Sequence, residues 1–562
     1  MSTHYTNERN HQILIALLKA HGVRYIVASP GTTNSVFIGS VQSDPYFTIY
    51  SSVDERSAAY IACGIAHETG EAVVISCTGA TAARNYMSGA TEAYYSKLPI
   101  LIVTSSQESN RIGHLIPQVT NRSDPPADVC KISVTMPNVR TKDDEWECNV
   151  NANKALLELL RRGGGPAHIN LITTYSNNQE TALTCEELPS TRAIRRVTAE
   201  TDSPNITKGK TAIFVGAHQP FDEALTKVVE RFCEVNNAVV LCDHTSNYCG
   251  RYKIPLALAI NQAGLNQSNT PAYSVETLIH IGEVSAEEGA MRMIRSKETW
   301  RVSPDGEIRD TFRNLSYVFE MTERSFFEAY SRGSEINTAY YDECETVYRG
   351  LMSQQPDQLS RMPFSNVWIA SQIAPMVPAG STVVLSILNT IRTWNYSEFG
   401  DGVKVFCPTG GFGIDGATSM ALGASLGNPD QLCFCVTGDL AFFYDLNALG
   451  NRHVAKNLRI LLVNNGVGFE FKKCYAMAYR LLGDDVDPYV AAAGHFGNKS
   501  SALVRDIATD LGFEYLTAND KASFNEMKEA FVNANSDKPI ILEAFVTDAD
   551  ESSALNIIHN RS

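Results

Sequence analysis

The sequence has no long apolar run, little basic charge and no tract of low complexity. A membrane-spanning helix needs roughly 20 consecutive apolar residues, and no stretch of the 562 residues approaches that length. The formal net charge is −15, whereas proteins that bind nucleic acid or an anionic membrane surface present basic faces. We therefore expect neither a nucleic-acid partner nor a membrane. A local basic pocket for a small anionic substrate is still compatible with this charge.

The thirteen cysteines are scattered, and none has the spacing of metal ligands. Cys433 and Cys435 lie two apart in an apolar run, so both should point to the same side of a strand as buried thiols. The first ten residues are polar and lack the apolar core of a signal peptide. These features favour the reducing cytoplasm as the location of the protein.

Short apolar segments alternate with helical patterns along most of the chain, which predicts an α/β fold with parallel sheets covered on both faces. The length exceeds that of a single domain, and polar stretches around 198–210 and 353–362 divide the pattern. We predict three consecutive doubly wound parallel-sheet domains, at 1–190, 200–350 and 360–562. The predicted strands are Tyr25–Ala28, Phe47–Tyr50, Ala72–Ser76, Ile100–Thr104, Ala167–Leu171, Thr211–Val215, Ala238–Leu241, Thr382–Leu385, Leu432–Val436, Arg459–Val463 and Ile540–Phe545. Helical patterns include Gln12–Lys19, Arg56–His67 and Phe443–His453.

Two neighbouring strands of the third domain end in residues that suit a metal ion. The strand Leu432–Val436 leads towards Asp439, and the strand Arg459–Val463 leads into Asn464 and Asn465. Because the carboxyl ends of parallel strands share one edge of a sheet, we expect Asp439 and Asn465 to converge. A carboxylate, an amide oxygen and a backbone carbonyl are ligands that Mg²⁺ prefers, with diphosphate oxygens and water in its other positions. A generic strand–helix–strand unit is the alternative, and the spacing and the asparagine pair disfavour it.

This arrangement resembles the signature of the thiamine-diphosphate (ThDP) dependent enzyme superfamily, which is Gly-Asp-Gly, about 25 residues, then Asn-Asn. Leu440 replaces the second glycine of that signature and leaves the metal ligand in place. The resemblance implies ThDP and Mg²⁺ as cofactors, with Asp439, Asn465 and the carbonyl of Val467 as metal ligands. It implies that Ile414 holds the cofactor in its bent form. The implied cofactor-binding residues are Ile414, Gly438, Asp439, Leu440, Ala441, Asn465, Val467 and Gly468.

A glutamate in the first domain is the candidate for activating the cofactor. Glu55 follows a predicted strand and opens a helix of small residues, between the turn that contains Thr32-Thr33 and the downstream Asn85 and Gly89. A glutamate at a helix start is on its own usually a solvated residue. This succession of about 90 residues resembles the pyrimidine-binding domain of the acetolactate synthase and pyruvate decarboxylase branch. The resemblance implies that Glu55 hydrogen-bonds a ring nitrogen of the cofactor and promotes its deprotonation.

The same resemblance assigns roles to the three domains. The first domain would bind the pyrimidine of ThDP, the third would bind its diphosphate, and the second would be a central α/β domain. In that branch the pyrimidine domain of one subunit meets the diphosphate domain of another. The resemblance therefore implies a homo-oligomer, a homodimer or homotetramer, with its active sites at the subunit interface.

Within the superfamily, the motifs are similar to those of the menaquinone-pathway SEPHCHC synthase family, which adds a 2-oxoglutarate-derived unit to isochorismate. The similarity is carried by Gly413-Ile414-Asp415-Gly416, by the run Gly438–Leu449 and by Trp300–Gly306. The chain departs from that family where substrate arginines are expected. Thr32-Thr33 replaces Ser-Arg, and Gln107 and Thr409 stand where arginines would. Because arginine binds carboxylates through two parallel hydrogen bonds, these departures predict a less anionic pair of substrates.

The pyruvate decarboxylase branch fits less well. Its adjacent histidines are missing, and His114 stands alone near their place. Its glutamate six residues after the second asparagine is also shifted, since Glu470 is the fifth residue after Asn465. Glu470 stays a candidate acid or base. The expected substrate contacts are Thr32, Thr33, His114, Gln118, Arg392 and Glu470.

The predicted function is a ThDP- and Mg²⁺-dependent carboligase. A 2-oxoacid of the pyruvate or 2-oxoglutarate type would lose CO₂, and its acyl unit would pass to a second carbonyl or activated acceptor. Three alternatives stay open: a simple non-oxidative decarboxylase, a carbon–carbon lyase or hydrolase, and an inactive regulatory homologue, which Glu55 and Asp439 disfavour. A nicotinamide or flavin dehydrogenase needs Gly-x-Gly-x-x-Gly. The run Gly410–Gly413 lacks that spacing, so we expect no FAD.

Overall fold

The computed structural model describes residues 3–121, 124–174, 179–263, 265, 270–495 and 500–561. The chain divides into two compact units: residues 1–201 with 306–318, and residues 202–305 with 319–562. Three parallel sheets flanked by helices confirm the predicted α/β fold. None of the helices in the described ranges combines the length and the apolar character needed to cross a bilayer.

The first unit contains a six-stranded parallel sheet. The strands of this unit are β1 (Tyr5–Thr6), β2 (Tyr25–Ala28), β3 (Thr48–Ser51), β4 (Val73–Thr78), β5 (Ile100–Ser106), β6 (Ser133–Met136), β7 (Ala167–Ile172), β8 (Leu183–Cys185) and β9 (Arg195–Val197). Its helices are α1 (Arg9–Ala20), α2 (Ser35–Gln42), α3 (Glu55–Thr69), α4 (Ala82–Asn85), α5 (Met87–Tyr95) and α6 (Lys142–Glu158). The sheet has the order β3-β2-β4-β5-β7-β6, and β1 pairs with β8 separately.

The second unit contains two further parallel sheets, of which the first belongs to its N-terminal part. The strands here are β10 (Thr211–Val215), β11 (Ala238–Cys242), β12 (Lys253–Pro255), β13 (Ser274–Ile281) and β14 (Arg295–Val302), and β15 (Leu315–Phe319) spans the boundary of the units along the chain. The helices are α7 (Glu223–Asn236), α8 (Ala257–Asn261), α9 (Gly289–Met293), α10 (Glu323–Tyr330) and α11 (Ala339–Met352). The five strands β12-β11-β10-β13-β14 are neighbours in that order and all parallel.

The second sheet of this unit lies in its C-terminal part. Its strands are β16 (Thr382–Leu385), β17 (Lys404–Phe406), β18 (Cys433–Gly438), β19 (Leu458–Asn464), β20 (Glu514–Ala518) and β21 (Ile540–Phe545). The helices are α12 (Gln355–Arg361), α13 (Asn366–Ile373), α14 (Asn389–Trp394), α15 (Ala417–Gly427), α16 (Asp439–Tyr444), α17 (Met477–Leu482), α18 (Leu503–Asp510), α19 (Lys521–Val532) and α20 (Asp548–Ile558). The order is β17-β16-β18-β19-β21-β20, all parallel.

Both faces of this C-terminal sheet are buried, which explains its continuous apolar strands. Alternate residues of β18 belong to different apolar clusters: Phe434 and Val436 join one, and Cys433 and Cys435 join the other. The prediction that both thiols face the same side and are buried is therefore confirmed. Each fully buried large apolar side chain contributes about 1.5–3 kcal/mol, so the sheet forms a firm base for the residues at its edges.

One local prediction is wrong, and one of the two polar stretches contains a helix. The predicted helix Phe443–His453 instead begins at Asp439 and ends at Tyr444, followed by a 3₁₀ turn that ends at Gly450. Asn451 then accepts a hydrogen bond from the backbone N–H of His453 through its side chain, which favours a turn there. The polar stretch 353–362 contains α12. Pro356 does not interrupt this helix, because it falls in the first turn, where proline is tolerated. Residues 198–210 contain neither helix nor strand.

Candidate active site

The carboxyl ends of β18 and β19 lie side by side and carry the residues predicted to hold a metal ion. The two strands pair with Gly438 opposite Val463, so the segments that begin at Asp439 and Asn465 leave the sheet at the same edge. The backbone N–H of Gly466 hydrogen-bonds the Asp439 carboxylate. The two segments are therefore in direct contact.

Asp439 is buried, and only 4% of its surface is exposed. Burial raises its pKa to about 7, hydrogen bonds from the backbone of Leu440 and Gly466 partly oppose this, and the carboxyl of Glu543 adds to it. No ion pair involves Asp439 within the described ranges. An ionised carboxylate without a cation is costly to bury, so this position favours a bound cation.

The neighbouring oxygens fit a hard metal ion. Asn465 adds an amide oxygen, which accepts a hydrogen bond of 3.1 Å from the backbone N–H of Val467. The carbonyl of Val467 accepts one of 2.8 Å from the backbone N–H of Phe469, so both residues belong to one hydrogen-bonded turn. Oxygen ligands of this kind suit Mg²⁺. In the part of the chain that is described, no group of three or more His, Cys, Asp or Glu side chains offers another type of metal site. A Cβ built on Gly438 would meet no atom within 4 Å, which leaves open space for a diphosphate.

The other residues predicted to bind the cofactor line the same edge. Leu440 and Ala441 form the first turn of α16. Gly468 lies between the two segments, because a Cβ on it would be 3.0 Å from the carbonyl oxygen of Ala491 and 3.3 Å from Leu440 Cδ1. The backbone N–H of Gly468 donates a hydrogen bond of 2.6 Å to that carbonyl. The turn after β19 is thus held against the start of α16.

An apolar wall adjoins this edge beyond β16 and β17. Ile414 and Phe412, which follow β17, and Leu388, which precedes α14, are partly buried and pack against the apolar core. Phe412 has φ 54° and Leu388 has φ 62° and ψ −119°, both unfavourable for a residue with a bulky side chain. Such a backbone costs roughly 1–3 kcal/mol and persists only where the surroundings enforce it. The positions of these side chains are therefore set by their packing.

Arg392 and Glu470, two of the predicted substrate contacts, are bound to each other. Arg392 lies in α14 after β16, and Glu470 lies in the 3₁₀ turn after β19. Arg392 Nη1 and Glu470 Oε1 are 2.5 Å apart, and both side chains are mostly buried. The structure thus brings together two residues that sequence reasoning treated separately.

Two buried carboxyl groups support α14 from the sides. Glu287 Oε1 accepts a hydrogen bond of 2.9 Å from Asn395. Glu551 Oε1 accepts one of 2.9 Å from the backbone N–H of Asn366, whose side chain accepts a hydrogen bond from the indole of Trp394. Burial raises the pKa of Glu287 to about 8 and that of Glu551 to about 7. Both groups therefore keep their protons to a higher pH than in an unfolded chain.

We expect Glu287→Gln to remove much of the pH dependence of stability. The folded chain holds the Glu287 proton up to about pH 8, whereas an unfolded chain releases it near its ordinary pKa. This group therefore stabilises the fold at low pH, and its contribution is lost as the pH rises between those two values. Glutamine keeps the hydrogen bond from Asn395 without a titratable group. At pH 8 the variant should gain about 2 kcal/mol in its free energy of unfolding, which would raise the apparent Tm by roughly 4–8 °C. At pH 5 its Tm should match that of wild type.

Differential scanning fluorimetry from pH 5 to pH 8 measures this effect. The matched control is Glu288→Gln, the next residue, whose side chain is 56% exposed and should leave the pH profile unchanged. A Glu287→Gln profile parallel to that of wild type would refute the assignment.

In the first unit, Glu55 opens α3 at the carboxyl edge of the parallel sheet. The helix begins there because the Asp54 side chain accepts a hydrogen bond from the backbone N–H of Arg56. Asn85 Nδ2 donates a hydrogen bond of 3.1 Å to Glu55 Oε2, which orients the carboxyl group and leaves its other oxygen available.

The position of α3 depends on a close contact with α5. A Cβ on Gly89 would lie 2.5 Å from the Cβ of Ala59, so only glycine permits this approach. Ala59 is one helical turn beyond Glu55. The packing of α3 on α5 therefore sets where the Glu55 side chain begins.

The turn after β2 is also held by a close approach. A Cβ on Gly31 would lie 1.9 Å from Thr78 Cγ2, at the end of the neighbouring β4. Thr33 is buried, and its hydroxyl donates a hydrogen bond of 2.8 Å to the Ser105 carbonyl, whereas Thr32 is exposed. Thr33 is therefore a fixed part of the edge, and Thr32 is free to contact a ligand.

The segment between β5 and β6 carries the remaining predicted contacts. His114 and Gln118 are exposed, and Gln118 has φ 63°. Gln107, at the position where an arginine was expected, is buried and accepts a hydrogen bond of 2.7 Å from Arg111. Among the residues that the structure describes, no hydrogen bond joins His114 or Gln118 to Glu55.

Three contacts of the candidate residues were not predicted from the sequence. Asn85 belongs to the motif around Glu55, but its hydrogen bond to that carboxyl was not inferred. Lys473, three residues after Glu470 on the same short turn, forms an ion pair with it, and the spacing of opposite charges is a signal that could have found it. Glu287 has no local signal, because its partner Asn395 is more than 100 residues away.

Comparison with known proteins shows which proteins the chain is similar to. Residues 9–124 match the family described as "Thiamine pyrophosphate enzyme, N-terminal TPP binding domain". Along 96% of its length the chain is 30% identical to a 2-succinyl-5-enolpyruvyl-6-hydroxy-3-cyclohexene-1-carboxylate synthase of Bacteroides thetaiotaomicron, over 96% of that protein. Proteins with the same name from Bacteroides fragilis and Flavobacterium johnsoniae are 29% and 28% identical, over 96% and 95% of both chains.

Proposed function

Because the chain belongs to the thiamine-diphosphate-dependent enzyme superfamily, whose members act on carbon–carbon bonds of 2-oxoacids, we propose that it is a decarboxylating carboligase. A 2-oxoacid of the pyruvate or 2-oxoglutarate type loses CO₂, and its acyl unit passes to a second carbonyl or activated acceptor. The observation that carries the proposal is the buried Asp439 carboxyl, which has no cationic partner among the described residues and shares the sheet edge with Asn465.

The C-terminal residues hold the diphosphate end of the cofactor. When bound, ThDP supplies a carbon nucleophile that adds to the ketone of the 2-oxoacid and accepts the electron pair left by CO₂. Asp439, Asn465 and the carbonyl of Val467 hold Mg²⁺, the usual partner ion in this family. Ile414, which packs on the core, would support the bound cofactor.

Glu55 is the residue that moves a proton. Its carboxyl group would donate a hydrogen bond to a ring nitrogen of the pyrimidine, and the hydrogen bond from Asn85 to Oε2 orients it for this role. A positioned acid or base of this kind typically contributes 10²–10⁴-fold to the rate. Arg392, Gln118, His114 and Thr32 are proposed substrate contacts, and Glu470 acts through Arg392.

We propose a homo-oligomer with active sites at the subunit interface. This assembly is supported by exposed apolar side chains near Glu55 in the chain, at Val53, Tyr60 and Ile61. Exposed apolar side chains also follow the metal-binding turn in the C-terminal part, at Met477, Leu481 and Tyr489. Faces of this kind mark interaction sites. A cytoplasmic location is supported by the thirteen cysteines, all of which are free thiols.

The relatives' own reaction is a second candidate function, favoured by similarity over nearly the whole chain. Against it stand the uncharged Thr33, Gln107 and Thr409 at positions where carboxylate-binding arginines are expected. A simple decarboxylase would release an aldehyde instead of a ligated product, which the same assay separates.

The proposal is tested by measuring CO₂ release from a panel of 2-oxoacids with added ThDP and Mg²⁺. We expect release with at least one donor, dependent on both cofactors, and a ketol product when an acceptor aldehyde or 2-oxoacid is present. The mass of the active particle, measured on the same preparation, should equal two chains or more. No release from any donor, with or without acceptors, would refute the decarboxylating function and favour a lyase, a hydrolase or an inactive homologue.

A further inference from the structure

The ion pair of Arg392 and Glu470 lies at a particular place in the C-terminal sheet. Arg392 follows β16 and Glu470 follows β19, and these two strands are the neighbours of β18 on either side. The pair therefore connects the segments that flank the end of β18, where Asp439 lies. A substrate bound against the cofactor at this edge would meet the pair.

Glu470 is bound by a second cation as well. Lys473 Nζ is 2.7 Å from Glu470 Oε2, and the Lys473 side chain is 1% exposed. Each oxygen of the Glu470 carboxylate thus carries one cation, Arg392 on Oε1 and Lys473 on Oε2. A carboxylate held in this way by two mostly buried partners is a fixed part of the site.

The local charge balance leaves one positive charge. Burial disfavours the Arg392 cation, but the carboxylates around it outweigh this and raise its pKa, so it stays charged. Burial raises the pKa of Glu287 to about 8, so this group is mainly neutral at pH 7. Glu288 is 4.0 Å from Arg392 and 56% exposed, so water screens its charge. Two cations and one fixed carboxylate remain.

The chain segments next to this charge also carry apolar side chains. Leu388 precedes Arg392 by one helical turn, and Phe412 and Ile414 lie on the neighbouring loop after β17. All three pack against the core, two of them with an enforced backbone conformation. A second carboxylate placed against this wall would lose water, and both nearby cations are already bound to Glu470.

We infer that Glu470 is a specificity-determining residue, which engages both local cations and so restricts the donor to a 2-oxoacid with an uncharged side chain. The inference rests on the proposed function and narrows it. The donor belongs with pyruvate and short aliphatic 2-oxoacids, which bring one carboxylate, and not with 2-oxoglutarate, which brings two.

The test compares kcat/KM for pyruvate, 2-oxohexanoate and 2-oxoglutarate in the enzyme loaded with ThDP and Mg²⁺. We expect wild type to favour the two donors with uncharged side chains over 2-oxoglutarate at least tenfold. Glu470→Gln frees a cation, so it should shift that ratio towards 2-oxoglutarate at least tenfold, through KM more than kcat. The matched control, Glu288→Gln, removes an exposed carboxylate near the same arginine and should change the ratio less than twofold.

The outcomes that overturn the inference differ from those that overturn the function. A preference of the wild-type enzyme for 2-oxoglutarate overturns the inference without any variant. The inference can therefore be tested even if the Glu470→Gln protein does not fold. An equal shift in both glutamine variants also overturns it, because the effect would then be unspecific. If no donor releases CO₂, the proposed function fails, and calorimetric Kd values of pyruvate and 2-oxoglutarate decide the inference: tighter binding of 2-oxoglutarate refutes it.

Discussion

Glu55→Gln is expected to lower CO₂ release at least a hundredfold. The carboxyl group opens α3 and is oriented by Asn85, and a positioned proton donor or acceptor contributes 10²–10⁴-fold. Glutamine preserves the shape and the hydrogen bond from Asn85 but cannot exchange a proton. The loss should therefore appear in kcat, with the affinity for ThDP, measured by thermal shift, changed less than tenfold.

A matched variant separates this role from a general effect of charge. Glu68 lies near the end of the same helix and is exposed, so Glu68→Gln should retain wild-type activity. Asn85→Ala removes only the orienting hydrogen bond and should lose roughly tenfold, a smaller effect than loss of the carboxyl group. If Glu55→Gln kept more than a tenth of the wild-type kcat, the assignment of Glu55 would be wrong.

Asp439→Asn is expected to abolish stabilisation by ThDP and Mg²⁺. A ligand present at 100 times its Kd stabilises the folded protein by about 2.7 kcal/mol, and the variant should lose this gain because the carboxylate ligand is missing. Without the cofactors, Asp439→Asn should no longer be the less stable of the two proteins. The wild-type carboxyl is buried without a cation, and burial raises its pKa to about 7, so the neutral amide should be at least as stable there.

Thermal unfolding of both proteins, with and without ThDP and Mg²⁺, measures this change in their relative stability. Asp445 provides the control: it is also buried, but it accepts two hydrogen bonds of 2.6 Å from Ser419. Asp445→Asn should therefore lower the Tm equally in both conditions. A loss of equal size for Asp439→Asn with and without the cofactors would indicate a purely structural role.

The sheets were predictable because their strands are buried on both faces. Tyr25–Ala28, Thr211–Val215, Thr382–Leu385 and Ile540–Phe545 have the predicted bounds, since a run of apolar residues between polar ones leaves little choice of where such a strand begins and ends. The approach of Asp439 to the turn after β19 followed from the same rule, because parallel strands end at one edge.

The pairings between side chains were not predictable from the sequence. Arg392 and Glu470 are 78 residues apart, and their contact depends on β16 and β19 lying on either side of β18. The end of α16 at Tyr444 is another case, because the next residue, Asp445, is held by Ser419 on a different helix. Tertiary contacts of this kind override a local helical pattern. The domain boundaries near 190–200 and 350–360 stay predictions.

The contact between Gly89 and Ala59 makes the reactivity of the enzyme sensitive to a single methyl group. With 2.5 Å between the Cβ of Ala59 and the place where a Cβ on Gly89 would be, Gly89→Ala should push α3 away and so move Glu55, which lies one helical turn before Ala59. Catalytic power is steep in such displacements, since a shift of about 1 Å can cost 10²-fold. The absence of one carbon atom on α5 thus sets how closely α3 approaches it, and with that the position from which the Glu55 side chain extends.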